Sequence, residues 1–419
     1  MIPLKKTNIL IPKNIDMSKW SVIACDQYTS EMEYWDKVKE IVGDAPSTLN
    51  IVLPEIYLND EDVSSKIAKI NENMEKLQES NVFEEVKDTL IYLERTQNDG
   101  LVRKGIIGMV DLEDYSYLKG SNSLIRATEK TVLERIPPRL KVREKASLET
   151  PHVMLLIDDP KKEIIDNLNE KVNETDKIYD FDLMLKGGHV KGYKLSDDII
   201  EDIFLKLENL MDQELFDNKY GVENKALLLF SVGDGNHSLA TAKAHYENLK
   251  QSLSKEEYLN HPARYALVEI VNLHSDSLQF EPIHRVVFDV DVNHLIEEFK
   301  KYYNISEDST NGQRIEYVTE KERKILYVTN SNSNLAVGTL QTFLDEYLSK
   351  NSGSIDYIHG DDVTIKLGSE KNNIGFLLPA MAKDELFKTV ILDGALPRKT
   401  FSMGHSYDKR YYLECRKIK

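Results

Sequence analysis

The chain has 419 residues, 41% hydrophobic and 30% charged, with 19 Gly and 12 Pro; this is the make-up of a folded chain of two or three domains and excludes collagen-like, linker-rich and disordered classes. Lys and Arg number 54 against 71 Asp and Glu, a formal charge of −17. Such a field repels polyanions and argues against general coating of nucleic acid unless cations are gathered locally.

The opening MIPLKKTNILIPKN lacks the apolar run of a signal peptide. Cys25 and Cys415 are the only cysteines and form no CxxC pair, so a disulfide framework and a structural metal site are both disfavoured and a reducing, cytoplasmic home is expected. Cys25 sits in the apolar run Val22–Cys25 and reads as a buried residue, not a nucleophile. Val63, Ile67, Ile70, Met74 and Leu77 alternate in steps of four and three, which predicts one helix with a single apolar stripe. Ile91–Leu93, Gly105–Val110, Val153–Ile157 and Leu227–Val232 are short apolar runs that predict buried strands. Helical period returns at Ile199, Ile203, Phe204, Leu207, Leu210 and Met211. Leu118–Ser123, Asp308–Gly312 and Asn351–Ser354 are polar breaks. In the last third, Ile315–Val318, Ile325–Val328 and Leu335–Leu340 read as strands alternating with helical runs at Leu295–Phe299 and Phe343–Leu348. No internal repeat emerges, and no apolar stretch approaches the ~18 residues needed to cross a bilayer. The fold class expected is mixed α/β (α+β), with regions 1–120, 121–290 and 291–419.

The strongest local signal is ALLLFSVGDGNHSLATA over Ala226–Ala242: an apolar strand, a Gly-Asp-Gly-Asn turn, then an Ala-rich helix. Gly233 and Gly235 permit close backbone approach, and the helix start near Asn236, His237 and Ser238 directs unpaired N–H groups and a partial positive charge at the turn, as a phosphate site requires. Asp234 and His237 would then face one space, the first accepting a proton, the second donating to a phosphate oxygen. The alternative is a plain turn with Asn236 as helix cap and His237 at the surface.

A second signal is the basic island Arg126, Lys130, Arg135, Arg139, Lys141 and Arg143. It suits polyphosphate, although a solvated helix face with charge pairs explains it more simply. Glu129 within it is a candidate for a substrate ammonium. His284–Arg285, at a predicted strand start, and Arg398–Lys399, beside Pro397, are weaker candidates for binding an anion. Motifs of the GxxxxGK(S/T), GxGxxG and HExxH types are missing, so P-loop, Rossmann and zincin readings have no support.

Asp234-Gly-Asn-His-Ser resembles the Asp-Gly-His-His-Arg type motif of the ParB/sulfiredoxin-like superfamily. With Asp26, Ala45-Pro-Ser-Thr-Leu, Leu53-Pro-Glu, Arg126-Ala-Thr-Glu-Lys-Thr, Pro282-Ile-His-Arg-Val-Val and Pro397-Arg-Lys-Thr-Phe, the chain resembles domain-of-unknown-function family 1015 along nearly its whole length. The resemblance implies a ParB/sulfiredoxin-like nucleotide-binding core at 121–290 flanked by further α/β regions, with phosphates at the helix start and, in some relatives, phosphorylation of free L-serine. It implies Asp234 as base, His237 on phosphate and Glu129 on the amino acid, with ATP or ADP and Mg²⁺ as cofactors. Ser238 stands where related motifs carry Arg, so Arg126, Lys130, Arg285 and Lys399 are the candidates for the missing cation. Asn236 stands where sulfiredoxins carry Cys, which excludes their repair reaction.

The reading is a small-molecule kinase acting on serine or a similar hydroxylated metabolite. Its alternatives are a nucleotide-switched DNA clamp, opposed by the charge of −17, and a metabolite-binding regulator that keeps the pocket only. A membrane partner is not expected, and self-association into a homo-oligomer is left open.

Overall fold

In the strands Ile91–Thr96 and Val102–Asp111 neighbouring residues enter different apolar clusters: Tyr92 and Ile106 pack into one, Ile91, Leu93 and Ile107 into the other. Period-two alternation with both faces covered is what a central sheet between two layers requires. The computed structural model describes residues 2–306 and 312–419, so the break read at Asp308–Gly312 lies, except for Gly312, outside the described residues. The described chain divides into two units, one formed by Met1–Leu278 with His405–Lys419, the other by Gln279–Gly404.

The first unit is built on a mixed sheet of ten strands among the described residues. Across it run Lys177–Asp182, His189–Lys194, Ile91–Thr96, Val102–Asp111, Tyr265–Asn272, Val153–Ile157, Phe230–Asp234, Ile125–Ala127 and Tyr115–Ser116, with Leu4–Lys5 added to Val102–Asp111. The motif strand Phe230–Asp234 is antiparallel to Val153–Ile157 and parallel to Ile125–Ala127. The five-residue stripe forms the helix Val63–Glu79, with Ile67, Ile70 and Met74 buried. Helix Asp197–Asn209 buries Ile200, Ile203 and Leu207. A boundary at 120 differs from this division, because strands on either side of that position hydrogen-bond within one sheet: Ile91–Thr96 with His189–Lys194, and Val102–Asp111 with Tyr265–Asn272.

The terminal segment is part of the first unit's core. Cys415 bridges to Leu10 and Tyr411 to Ile23, Trp20 Nε1 donates to the carbonyl of Leu413 at 2.8 Å, and Arg416 Nε donates to Glu149 at 2.7 Å.

The second unit carries an antiparallel sheet ordered Ile305–Ser306, Arg323–Val328, Gln313–Val318, Ile374–Leu377, Phe280–Phe288 and Ser354–His359, with Phe401–Met403 on Phe280–Phe288. Leu335–Leu340, read as a strand, instead opens the helix Ala336–Lys350, which buries Leu340, Phe343, Leu344 and Tyr347 on one stripe. A six-residue apolar run is ambiguous alone, and the helical spacing appears only when it is read on through Tyr347.

Candidate active site

The motif strand ends at Asp234, Gly235 turns with φ 79°, and the helix Asn236–Lys250 begins at once. Gly235 has no room for a side chain: a Cβ there would lie 2.8 Å from the carbonyl oxygen of His152. At Gly233 it would meet Leu156 at the same distance. Asp234 Oδ1 accepts from the N–H of Gly235 at 2.9 Å, and Lys409 Nζ lies 3.9 Å from Asp234 Oδ2. The helix start thus presents the N–H groups of Asn236, His237 and Ser238, which a first turn leaves without intrahelical partners, together with the positive end of the helix dipole.

Asn236 Nδ2 donates to Thr128 Oγ1 at 3.4 Å, while Thr128 itself donates to the carbonyl of Val232 at 2.7 Å. This ties the segment Arg126–Thr131 to the motif. Glu129 is half-buried and Lys130 exposed in that segment.

His237 stands in the first turn of the motif helix. Its Nε2 accepts from the N–H of Val132 at 3.4 Å, and burial, reinforced by Arg139 and Arg135, pushes its pKa down to about 4. His237 is therefore neutral at pH 7, and Nδ1 is the ring donor that remains for the hydrogen bond expected of it.

Arg126 departs from its expected role. Its Nε donates to Ser123 O and its Nη2 to the carbonyls of Ala226 and Leu227, each at 2.8 Å, so the guanidinium serves the segment leading into the motif strand and not the Asp234 end. Arg285 lies in the second unit, fully buried, with donors on Gln341 Oε1 at 3.2 Å, Arg398 O at 2.7 Å and Ile283 O. A guanidinium satisfied in this way has no face left for phosphate. Lys399 is exposed in the same unit with φ 53°.

The rest of the basic island lies on Leu133–Arg135 and on the helix Ile136–Arg143, which packs against the motif helix. Arg139 pairs with Glu55 through Nε at 2.8 Å and also through Nη2, and Arg143 Nη2 pairs with Glu149 at 2.6 Å. These arginines are thus one wall of a cavity of about 160 Å³, completed by Cys25, Leu53, Met74, Thr150, His152 and Tyr412, and by Ser238 and Thr241 of the motif helix. Burial pushes the Cys25 thiol up, away from the thiolate.

Three groups escaped the sequence reading as chemistry: Asp26 entered it only as a family landmark, and His152 and Lys409 not at all. His152 Nε2 lies 3.4 Å from Asp26 Oδ2 with the imidazole side chain only 10% exposed, and its ring lies 5.6 Å from that of Tyr412. Burial opposes the charge on His152, but Asp26 and then Asp234 outweigh it and hold its pKa above the ordinary imidazole value. Burial likewise opposes the charge on Asp26, and His152, Gln27 and Lys409 override it and keep the carboxyl well below its usual range. His152 precedes the strand that pairs with the motif strand, which was the available signal; nothing local marks Lys409, which arrives from the distant terminal segment. His152 Nδ1, Thr150 Oγ1 and Arg143 Nε are buried beside this cavity with no hydrogen-bond partner among the described residues. Among the described residues no three His, Cys, Asp or Glu side chains gather as a metal site, and no helix is long and apolar enough to cross a membrane.

A mixed α/β protein with a strand, left-handed glycine and helix start beside a small cavity is the class these features define. The model of the protein-of-unknown-function family DUF1015 matches residues 9–347, and the chain belongs to that family. A search of curated proteins found no match. Among solved structures, a free serine kinase in complex with AMP is similar at 12% identity and TM-score 0.36, covering 74% of this chain and 90% of that one. A variant of that kinase in complex with ADP gives 11% identity, TM-score 0.37 and coverage of 74% and 91%. A conserved hypothetical protein from Pyrococcus furiosus gives 12%, 0.34 and coverage of 71% and 89%.

Proposed function

We propose that the first unit is a small-molecule kinase of the ParB/sulfiredoxin-like kind, transferring a phosphoryl group from ATP or ADP to the hydroxyl of free L-serine or a similar small metabolite. The observation that carries this is the position of Asp234: its carboxylate stands at a strand end, next to Gly235 and the amino end of the motif helix, whose Ser238 and Thr241 line a small cavity. Phosphoryl transfer needs little covalent chemistry from the protein; it needs positioning, cations and a base near the attacking hydroxyl.

The cradle suits the nucleotide phosphates, since the N–H groups of Asn236, His237 and Ser238 point outward and Gly235 allows close approach. The cavity suits the acceptor. Its volume of about 160 Å³ belongs with cavities that take one small molecule, and the free donors of Arg143, Thr150 and His152 match a carboxylate. Glu129 is the proposed partner of the substrate ammonium, and Lys130 an additional phosphate contact. Lys409, the cation nearest Asp234, takes the place of the arginine that related motifs carry at the position of Ser238. Asp26, which acts on His152, would offer the hard carboxylate oxygens that Mg²⁺ accompanying the nucleotide prefers.

In the step itself the acceptor hydroxyl oxygen bonds to phosphorus, the bond to the nucleotide's bridging oxygen breaks, and Asp234 takes the hydroxyl proton. Purified protein incubated with labelled ATP or ADP, Mg²⁺ and a panel of hydroxylated amino acids and polyols tests this. Asp234→Asn is expected to lower kcat ~10²–10⁴-fold with little change in nucleotide affinity. Near-normal turnover of that variant would remove Asp234 as base; absence of transfer by the natural chain to any acceptor would leave a metabolite-binding protein.

A further inference from the structure

The cavity beside the motif helix is walled by two kinds of residue. Ser238 and Thr241 come from that helix, and Thr150 and His152 from the segment that leads into the strand Val153–Ile157. Ile51, Leu53, Met74, Ala146 and Leu148 also line it, all of them buried members of the first unit's hydrophobic core, and Val142 joins them from the helix Ile136–Arg143. Three separate stretches of chain thus turn hydrocarbon toward one space.

The carboxylates in the lining are already matched. Glu55 accepts from Arg139 Nε at 2.8 Å, and Glu149 accepts from Arg143 Nη2 at 2.6 Å, from Arg416 Nε at 2.7 Å and from the N–H of Leu267 at 2.9 Å. His152 faces Asp26. Free L-serine carries a hydroxyl, an ammonium and a carboxylate on three carbons, and none of these groups is a partner for the core side of the cavity. Water held against that side is displaced favourably by hydrocarbon. There is room for it: a core cavity of about 150 Å³ takes a six-carbon ring, so one of about 160 Å³ has space for an alkyl group of a few carbons next to the carbon that bears the hydroxyl.

We propose that this cavity selects acceptors with an alkyl group on the hydroxyl-bearing carbon: β-hydroxylated amino acids larger than serine, the hydroxyl directed to the motif helix and the added carbons packed on Leu53, Met74, Ala146 and Leu148. The acceptor role rests on the kinase reading above; the preference for hydrocarbon rests on the lining alone. Each carbon moved from water onto this wall is expected to tighten binding by about 3–4-fold until the space is filled.

Calorimetric titration of the full chain in the presence of ADP tests this with two series. Serine, threonine, 3-hydroxynorvaline and 3-hydroxyleucine lengthen the alkyl group on the hydroxylated carbon step by step; alanine, 2-aminobutyrate, norvaline and leucine repeat the series without the hydroxyl. Affinity is expected to rise along both, by at least ~10-fold from first to last, and Val142→Thr, which sets a hydroxyl on the wall at nearly constant volume, is expected to reduce the rise. Should that variant fail to fold, the two series on the natural chain still give the answer. Flat or falling affinity along both series, or no binding of leucine and 3-hydroxyleucine at millimolar concentration, overturns the proposal, even where labelled phosphate passes to serine and the kinase reading stands. Rising affinity with no transfer to any hydroxylated member upholds the preference for hydrocarbon and removes the kinase reading instead.

Discussion

Replacing Gly235 by Ala tests the geometry of the cradle, and the structure allows its cost to be divided into two parts. With φ 79° any L-residue there enters the left-handed region, which costs about 1–2 kcal/mol. The new Cβ would also lie 2.8 Å from the carbonyl oxygen of His152 and 3.1 Å from Val153 Cα, backbone atoms that cannot swing aside as a side-chain tip can. Forcing that neighbour back is an overpacking cost of about 1–3 kcal/mol, so the total is about 2–5 kcal/mol. Gly221 is the control: it has φ 64° and open space where its Cβ would sit, so Gly221→Ala carries the backbone cost alone. Urea unfolding followed by tryptophan fluorescence reads this unit selectively, because Trp20 and Trp35 are the chain's only tryptophans and both are buried in it. Gly235→Ala is expected to be the more destabilised of the two by at least about 1 kcal/mol. Equal losses would refute the claim that the strand edge at His152 closes tightly on the motif turn.

Arg126→Met is expected to destabilise the first unit by about 2–4 kcal/mol by stranding three carbonyls, while leaving ADP affinity of the folded protein unchanged; a selective loss of ADP binding in calorimetry would return Arg126 to the site. Glu269→Gln leaves the buried Arg103 and Arg410, 3.3 and 3.5 Å from its oxygens, without their carboxylate and is expected to cost about 3–5 kcal/mol in urea unfolding, so a loss under about 1 kcal/mol would refute the pairing. His237 has a depressed folded pKa, so the native state binds fewer protons than the unfolded chain: its contribution to stability is full above pH ~6.5 and falls away as pH drops toward about 4. His237→Asn should flatten that part of the stability profile, and an imidazole NMR titration with a midpoint near 6.5 would contradict the burial argument. His152 has the opposite sign. Its raised pKa gives stability that is present below pH ~6.5 and lost as pH climbs through its folded value, so an unfolding profile that gained stability from pH 7 to 9 relative to His152→Gln would exclude the Asp26 pairing.

What the sequence makes legible follows from how local each cause is. Val63–Glu79 declares itself because a single period organises its five large apolar residues, Val153–Ile157 because it is an unbroken apolar run, and the Gly-Asp-Gly-Asn turn because backbone geometry demands glycine there. The helix Ala336–Lys350 is harder, since its first turn is apolar on several sides. Among candidate site residues, Asp234, Gly235 and Ser238 stand where the sequence places them, between strand and helix. Arg126 and Arg285 mislead for a shared reason: a guanidinium in a chain of negative charge looks like an anion ligand, but buried carbonyls attract it just as strongly, and only tertiary contacts tell the two apart. His152, Asp26 and Lys409 gather from three separate stretches, and no spacing in one dimension encodes that meeting.

The separation of Lys409 from the rest of the site has a temporal side. On a ribosome, residues up to Leu278 emerge first, the whole of the Gln279–Gly404 unit follows, and only then does the segment arrive that bridges Leu10 through Cys415, caps Trp20 through Leu413 and brings Lys409 to Asp234. Until then the nascent first unit waits with an open seam where that segment belongs, and the buried carboxylate of Glu269 lacks Arg410. A message cut short before residue 405 leaves the ten strands of the first unit's sheet without the segment that carries Lys409. The meeting of Lys409 with Asp234 is thereby tied to synthesis having run past the second unit.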